Sequence, residues 1–252
     1  MRYTIVNLGC KVNRVESDSF SASLAARGCV EAPEENAELI VVNTCTVTGE
    51  AEKKTRKAVR HALRASEGAT VVVTGCAAAI DAEVFTQMSD RIRVMGKAAL
   101  ASAIDAGAFG DAEAVHGKAL PVGEGFRTRV GVKVQDGCNN ACTYCIVHVA
   151  RGRAASVDAD KVAETCKALS DAGVGEIVLT GINLGSYCWG DRRSEDAVRL
   201  PDLLKRLLAE TERPPAGRAC PTRFRISSIE PRDVDDALID ALAASEGRVC
   251  RH

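Results

Sequence analysis

Six of the chain's eleven cysteines stand where thiolates can act together. Cys10, Cys45 and Cys76 each follow an apolar run, at residues 3–7, 39–43 and 71–74. A second trio, Cys138, Cys142 and Cys145, follows a run at 130–135, with three and then two residues between its members. In parallel α/β sheets, sites form outside the carboxyl ends of the strands, so a cysteine just past such a run occupies a ligand position. Two trios, each one short of a full set of four, read as two metal clusters that each keep an open coordination position.

Other uses of cysteine stand beside this reading. A disulfide framework needs an oxidising compartment, but residues 1–10 lack an apolar segment of signal-peptide length and the cysteine count is odd. Structural zinc on Cys138, Cys142, Cys145 and His148 is the stronger rival, since zinc accepts such short spacings. It leaves the three strand-end cysteines unexplained. Cys29, Cys166, Cys188, Cys220 and Cys250 lack the strand-end spacing and are expected to be small buried hydrophobes. Cys188, close after the turn at 181–185, is the expected exception.

The elements that must position these thiols alternate strand and helix. Strands at 3–7, 39–43, 71–74 and 92–95 lead into helices near 14–27, 50–64, 81–89 and 98–106, with Thr48 as an N-cap. Cys45 lies 35 residues after Cys10, and Cys76 lies 31 after Cys45. Each interval is about the length of one βαβ unit, about 30 residues, so the three land side by side along one sheet edge. This predicts a Rossmann- or flavodoxin-like parallel sheet over residues 1–107. Residues 108–125 are glycine-rich and read as a linker. From 126 onward come strands at 130–135, 176–180 and 223–226, helices near 160–172, 201–211 and 233–244, and the start of a further strand at Val249. A complete eight-fold barrel needs about 250 residues, and residues 126–252 supply 127. The α/β chain is therefore expected to end in a truncated (β/α) partial barrel.

At 252 residues and 46% apolar content the chain can build two cores, and no apolar stretch approaches the length of a membrane span. With 33 basic and 34 acidic residues, no global field draws it to nucleic acid. A soluble, cytoplasmic monomer without membrane contact is expected.

Cys138-Asn-Asn-Ala-Cys142-Thr-Tyr144-Cys145 resembles the signature of radical S-adenosylmethionine (SAM) enzymes. The stretches from Asn7 to Ser17 around Cys10, from Val42 to Thr48 around Cys45, and from Val73 to Cys76 resemble the N-terminal domain of the methylthiotransferases of that superfamily. Arg151-Gly-Arg153, the segment from Leu179 to Gly185 and the segment from Arg225 to Pro231 match the same family. Val147-His148-Val149 departs from it, because a proline is usual there. The resemblance implies two 4Fe–4S clusters, one on Cys138, Cys142 and Cys145 that binds SAM at its open iron, and an auxiliary one on Cys10, Cys45 and Cys76. It implies SAM contacts at Tyr144, Gly181, Asn183, Ser228 and Glu230. It also implies that the family continues beyond 252, through the rest of the radical SAM (β/α) barrel and an RNA-binding β-domain.

Three branches of the family compete: thiomethylation of threonylcarbamoyladenosine in tRNA, of isopentenyladenosine in tRNA, and of a ribosomal-protein aspartate. Leu8-Gly-Cys10-Lys11-Val-Asn13 and Ser227-Ser228-Ile-Glu230-Pro231 are most similar to the first. That branch implies tRNA adenosine 37 as substrate, a 5′-deoxyadenosyl radical that removes hydrogen from C2 of the adenine, and an electron donor such as flavodoxin or ferredoxin. Lys11 and Asn13 beside Cys10 are candidate substrate contacts. So are Lys53, Lys57 and Arg60, which share one helix face with Arg64, opposite Ala51, Ala58, Ala62 and Leu63; a solvated face is the plainer reading of such a stripe. A non-catalytic iron–sulfur electron carrier or scaffold is the alternative of a different class, and it would need four protein ligands per cluster.

Overall fold

The computed structural model describes residues 1–46, 48–109, 129–140, 142–214 and 219–250. It separates into two units: residues 1–119 together with 141–151, and residues 120–140 together with 152–252. The linker expected at 108–125 lies, from residue 110 on, outside the described residues.

The first unit contains strands β1 (Arg2–Asn7), β2 (Val30–Glu31), β3 (Leu39–Thr44), β4 (Thr70–Gly75) and β5 (Ile92–Val94). Its helices are α1 (Lys11–Ala26), α2 (Gly49–Ala65), α3 (Cys76–Ile80), α4 (Glu83–Thr86), α5 (Lys97–Asp105) and α6 (Val147–Arg151). The strands form one parallel sheet in the order β2-β1-β3-β4-β5. That is the flavodoxin-like order, whose reversal of direction opens a crevice between the carboxyl ends of β1 and β3. Ile40, Val41, Val42, Val71, Val72 and Val73 are wholly buried. Such continuous apolar runs form the middle of a sheet covered on both faces. Val59 and Ala62 of α2 pack with Ile40, Val42, Val71 and Val73 on one face. Phe20 and Leu24 of α1, with Leu100 and Ile104 of α5, pack with Leu39, Val41 and Val72 on the other.

The second unit contains β6 (Val130–Lys133), β7 (Gln135–Asp136), β8 (Ala155–Ser156), α7 (Ala159–Asp171), β9 (Glu176–Thr180), β10 (Cys188–Trp189), β11 (Val198–Arg199), α8 (Leu200–Glu210), β12 (Arg223–Ile226) and α9 (Asp236–Ala243). Strands β6, β9 and β12 lie side by side, parallel and in chain order. Val249 bridges in parallel to Phe224 of β12, where a further strand was expected. Consecutive parallel strands with right-handed helical crossovers wind in the sense of a barrel. One core gathers Ile177, Leu179 and Phe224 with Val162, Cys166 and Leu169 of α7 and Leu203, Leu204 and Leu207 of α8.

Several expected boundaries move. The strand expected at 130–135 breaks at Val134, and β7 turns away to pair antiparallel with β8. The helix expected at 81–89 becomes the short α3 and α4. Helix α3 starts at Cys76 itself because Gly75, at φ +94°, turns the chain directly out of the strand, and Asp81, at φ −142° and ψ 83°, leaves the helical conformation and ends it. Helix α1 likewise begins at Lys11, earlier than expected. The helix expected from 233 begins at 236, where the Asp235 carboxylate accepts from the Leu238 amide at 2.9 Å. The hairpin of β10 and β11 and the short α6 carry too few residues to show a period.

Candidate metal and cofactor sites

Register sets the first trio. Asn7 of β1 is level with Asn43 of β3, and Asn43 with Thr74 of β4. Cys10, Cys45 and Cys76 follow within three residues of those positions, so all three leave the same carboxyl edge. Cys10 and Cys45 flank the crevice where the strand order reverses. Buried polar side chains hold the edge together. Asn43 Nδ2 donates to the Asn13 carbonyl at 2.9 Å and to Ser17 Oγ at 3.1 Å. Asn13 Nδ2 donates to Asn43 Oδ1 at 3.1 Å and to the Thr44 carbonyl at 2.8 Å. Thr44 Oγ1 donates to the Thr74 carbonyl at 2.6 Å and accepts from the amides of Ala77 and Ala78 at 3.1 and 3.3 Å. A Cβ on Gly75 would stand 2.5 Å from the Thr44 carbonyl oxygen, so glycine is needed there on two counts.

Cys45 and Cys76 are buried, while Cys10, the residue preceding α1, is exposed. Burial pushes the Cys76 thiol above its ordinary range, and the nearby Arg151 and Lys97 cations pull against it. Arg151 lies beside the Cys76 thiol and reaches Asn13 Oδ1 and, at 3.2 Å, Glu16 Oε1. Lys97 Nζ pairs with Glu16 Oε2 at 2.6 Å. Cys10 Sγ lies 3.6 Å from Asn13 Oδ1.

Among the described residues no three His, Cys, Asp or Glu side chains converge on a point that would hold a single metal ion. A four-iron cube places each thiolate on a different corner iron, so its ligands stand apart. An all-thiol donor set at a strand edge, with cations beside it, fits an iron–sulfur cluster by softness and by charge.

In the second unit Gln135 is fully buried and ties two loops together. Its Oε1 accepts from the amides of Ile182 and Asn183 at 2.9 and 3.0 Å, and its Nε2 donates to the carbonyls of Asp136 and Gly137 at 2.8 and 2.7 Å. The Cys138 amide donates to the Gly152 carbonyl at 3.1 Å. Gly137 has φ +67°, and a Cβ there would meet the Arg153 carbonyl oxygen at 2.1 Å. In residues 141–151, which belong to the first unit, the Cys145 amide donates to the Cys142 carbonyl at 3.1 Å. Cys142 and His148 are exposed, and Tyr144 is 90% exposed.

Gly181 and Asn183 lie in the turn after β9. Asn183 Nδ2 donates to Asp233 Oδ2 at 2.6 Å, and the Leu184 amide donates to the Ser228 carbonyl at 2.8 Å. The turns after β9 and β12 are therefore joined. Asn183 Oδ1 and Ser227 Oγ are buried without a hydrogen-bond partner among the described residues. Orphaned buried polar atoms are costly, and the polar methionine end of SAM, which carries ammonium and carboxylate groups, fits them. Ser228 and Glu230 are exposed in the turn after β12.

On α2 the Thr48 hydroxyl accepts from the Ala51 amide at 3.1 Å, as expected of a cap. Lys53, Lys57, Arg60 and Arg64 are exposed along one face. The buried seam is Thr55, Val59 and Ala62, with Ala51, Ala58 and Leu63 at its margins rather than at its centre. Lys11 is exposed, and Asn13 is wholly buried in the network around Thr44. Of the five other cysteines only Cys29 and Cys166 are buried. Cys188 and Cys250 are half-buried and Cys220 is exposed, on the loop entering β12, where there is no core to enter. Sequence reasoning did not single out Gln135, Asp233, Glu16 or Lys97. None sits at a ligand spacing, and their only signal is a polar residue beside an apolar run.

Two family models match the chain. "Uncharacterized protein family UPF0004" matches residues 2–96, and "Radical SAM superfamily" matches residues 132–249. The chain belongs to the radical SAM superfamily. The threonylcarbamoyladenosine tRNA methylthiotransferase MtaB of Chlamydia pneumoniae is 34% identical over 245 residues, covering 96% of this chain and 54% of that protein. The protein of the same name from Bacillus subtilis strain 168 is 34% identical over 270 residues, covering 95% and 54%. The similarity to these methylthiotransferases runs along nearly all of the chain, which spans about half the length of these curated relatives. The solved structure of the radical SAM methyltransferase TsrM from Kitasatospora setae, with cobalamin and a 4Fe–4S cluster bound, matches with a TM-score of 0.59 at 15% identity over 97% of this chain and 59% of that one. At that identity it shows the fold.

Proposed function

We propose that the protein is a tRNA methylthiotransferase that converts N6-threonylcarbamoyladenosine at position 37 to its 2-methylthio derivative. The observation that carries this reading is the delivery of Cys10, Cys45 and Cys76 to one strand edge at the crevice of a flavodoxin-like sheet, in a chain that also holds the Cys138, Cys142, Cys145 loop. An electron carrier has no use for a trio that leaves one iron open. When bound, the two 4Fe–4S clusters supply the electron that cleaves SAM and the site through which sulfur passes to the adenine.

The chain's own residues supply ligands and geometry. Cys138, Cys142 and Cys145 hold the first cluster, and Cys10, Cys45 and Cys76 the second. Asn183, fixed by Asp233 and Gln135, offers its free carbonyl oxygen to the SAM ammonium. Gly181, Ser228 and Glu230 lie in the same turns, and Tyr144, next to Cys145 in the chain, is a further cofactor contact. The functional division is an auxiliary-cluster domain at 1–107, a linker at 108–125 and the radical half from 126. The exposed cations Lys53, Lys57 and Arg60 face tRNA phosphates, and Lys11 draws the threonyl carboxylate, a group that an isopentenyl chain lacks. The protein acts in the cytoplasm as a monomer, served by a reductant of the flavodoxin or ferredoxin class.

Anaerobic reconstitution of the full-length protein, followed by mass spectrometry of tRNA adenosine 37, tests the reading. Threonylcarbamoyladenosine should gain a methylthio group, isopentenyladenosine should remain unchanged, and replacing Lys53, Lys57 and Arg60 together with Glu should weaken tRNA binding. About eight irons are expected per chain, and Cys10, Cys45 and Cys76 replaced together by Ala should halve that number. Modification of isopentenyladenosine alone would move the protein to the neighbouring branch, and full iron in the triple variant would remove the auxiliary site.

A further inference from the structure

The side chain of Arg151 is 2% exposed, an unusual place for a guanidinium that no sequence spacing explains. It meets the Cys76 thiol, Asn13 Oδ1 and Glu16 Oε1. A planar fork with five donors holds such groups in one fixed geometry, whereas an ammonium is a single rotatable point. Lys97, the first residue of α5, reaches the other Glu16 oxygen and also acts on Cys76. Asn13 Oδ1, which receives Arg151, is also the near neighbour of the Cys10 thiol. One buried carboxylate therefore anchors two cations beside the N-terminal trio.

We propose that Arg151 and Lys97 are positioning residues that form a fixed cationic wall beside Cys76, setting the reduction potential of the cluster held there, with Glu16 as the counter-charge that anchors them. This rests on Cys10, Cys45 and Cys76 holding a cluster. A thiolate-ligated cluster is anionic and gains a further negative charge on reduction. A nearby cation and an N–H donor to sulfur both favour the reduced state and raise the potential. The carboxylate acts in the opposite direction.

The test uses the whole chain with Cys138, Cys142 and Cys145 replaced by Ala, so that only the N-terminal cluster loads. Iron and sulfide content and the midpoint potential are measured anaerobically, with electron paramagnetic resonance following the reduced cluster. Arg151→Gln should lower the midpoint by about 59 mV, the one-electron equivalent of a tenfold shift in the reduction equilibrium. Glu16→Gln should raise it, and Arg151→Lys should return it most of the way to the parent. Shifts of the same sign in Arg151→Gln and Glu16→Gln, or no shift in a loaded Arg151→Gln protein, would overturn the proposal. Should Arg151→Gln fail to load, loading by Arg151→Lys supports a role for charge, and equal failure of both refutes it. If the parent itself carries no cluster, or keeps it when Cys10, Cys45 and Cys76 become Ala, the functional reading has failed instead.

Discussion

Replacing Gln135 by Met removes a side chain that joins the start of the cysteine loop to the turn carrying Gly181 and Asn183. Gln135 is fully buried and makes four hydrogen bonds, two accepted and two donated. Each neutral bond contributes about 1 kcal/mol net, so about 4 kcal/mol is lost. Methionine has nearly the same length and volume, so no cavity opens, and its extra apolar burial returns about 1 kcal/mol. The net cost is about 3 kcal/mol. With a urea slope of about 2 kcal/mol per molar, the midpoint falls by about 1.5 M. The chain's one tryptophan, Trp189, lies in β10 of the same unit and reports its unfolding by fluorescence. Gln135→Glu adds a sign test. Its second oxygen would face two carbonyl oxygens, which tolerate it only as the protonated acid, so its folded pKa is raised. Stability is then retained below the ordinary glutamate value of about 4.3 and lost as pH rises through the folded value. A midpoint shift below about 0.5 M for Gln135→Met, or a Gln135→Glu variant indifferent to pH, would refute the assignment of Gln135 as the staple of this site.

Two further outcomes follow from the same unit. The Arg225 hydrogen bond at 2.7 Å, with Arg129 and Arg223 nearby, holds the Glu176 carboxyl below its ordinary range against the opposing effect of burial. Glu176→Gln should therefore cost about 1 to 2 kcal/mol at neutral pH, allowing for solvent screening of the arginines; the deficit should vanish as pH falls below about 4, in urea titrations at stepped pH. Burial, aided by Glu210, pushes the Cys166 thiol up to about 12, whereas Cys220 is exposed. Brief alkylation at pH 8 should label the exposed Cys220 and leave the buried Cys166 roughly a thousandfold slower than an ordinary free thiol on ionisation alone, and peptide mapping that finds equal labelling in the folded chain would contradict the packing of α7.

Much of the architecture is legible in one dimension because its signals are local. The apolar runs of β3 and β4 have both faces covered, so they read as strands without any partner being known. Thr48 caps α2 through an amide three residues away, which a window of a few residues contains. The placement of the cysteine trios is legible for the same reason, since a cysteine just past a strand needs only the strand to be recognised. Short elements escape a one-dimensional reading where a non-local contact decides them. At the start of α3, just past the turn that Gly75 makes, Thr44 accepts the amide of Ala77, 33 residues further along the chain.

The sequence by itself determined which cysteines stand just past strands and that parallel strands bring Cys10, Cys45 and Cys76 to one edge, because residue type and βαβ spacing are properties of the chain. Only the tertiary structure decided what surrounds them. Arg151 reaches Glu16 across 135 residues, and Gln135 reaches the Asn183 amide across 48. Such partners are chosen by packing in three dimensions. A buried arginine or glutamine carries no periodicity that announces it, and its role appears only when the polar groups it must satisfy are in place.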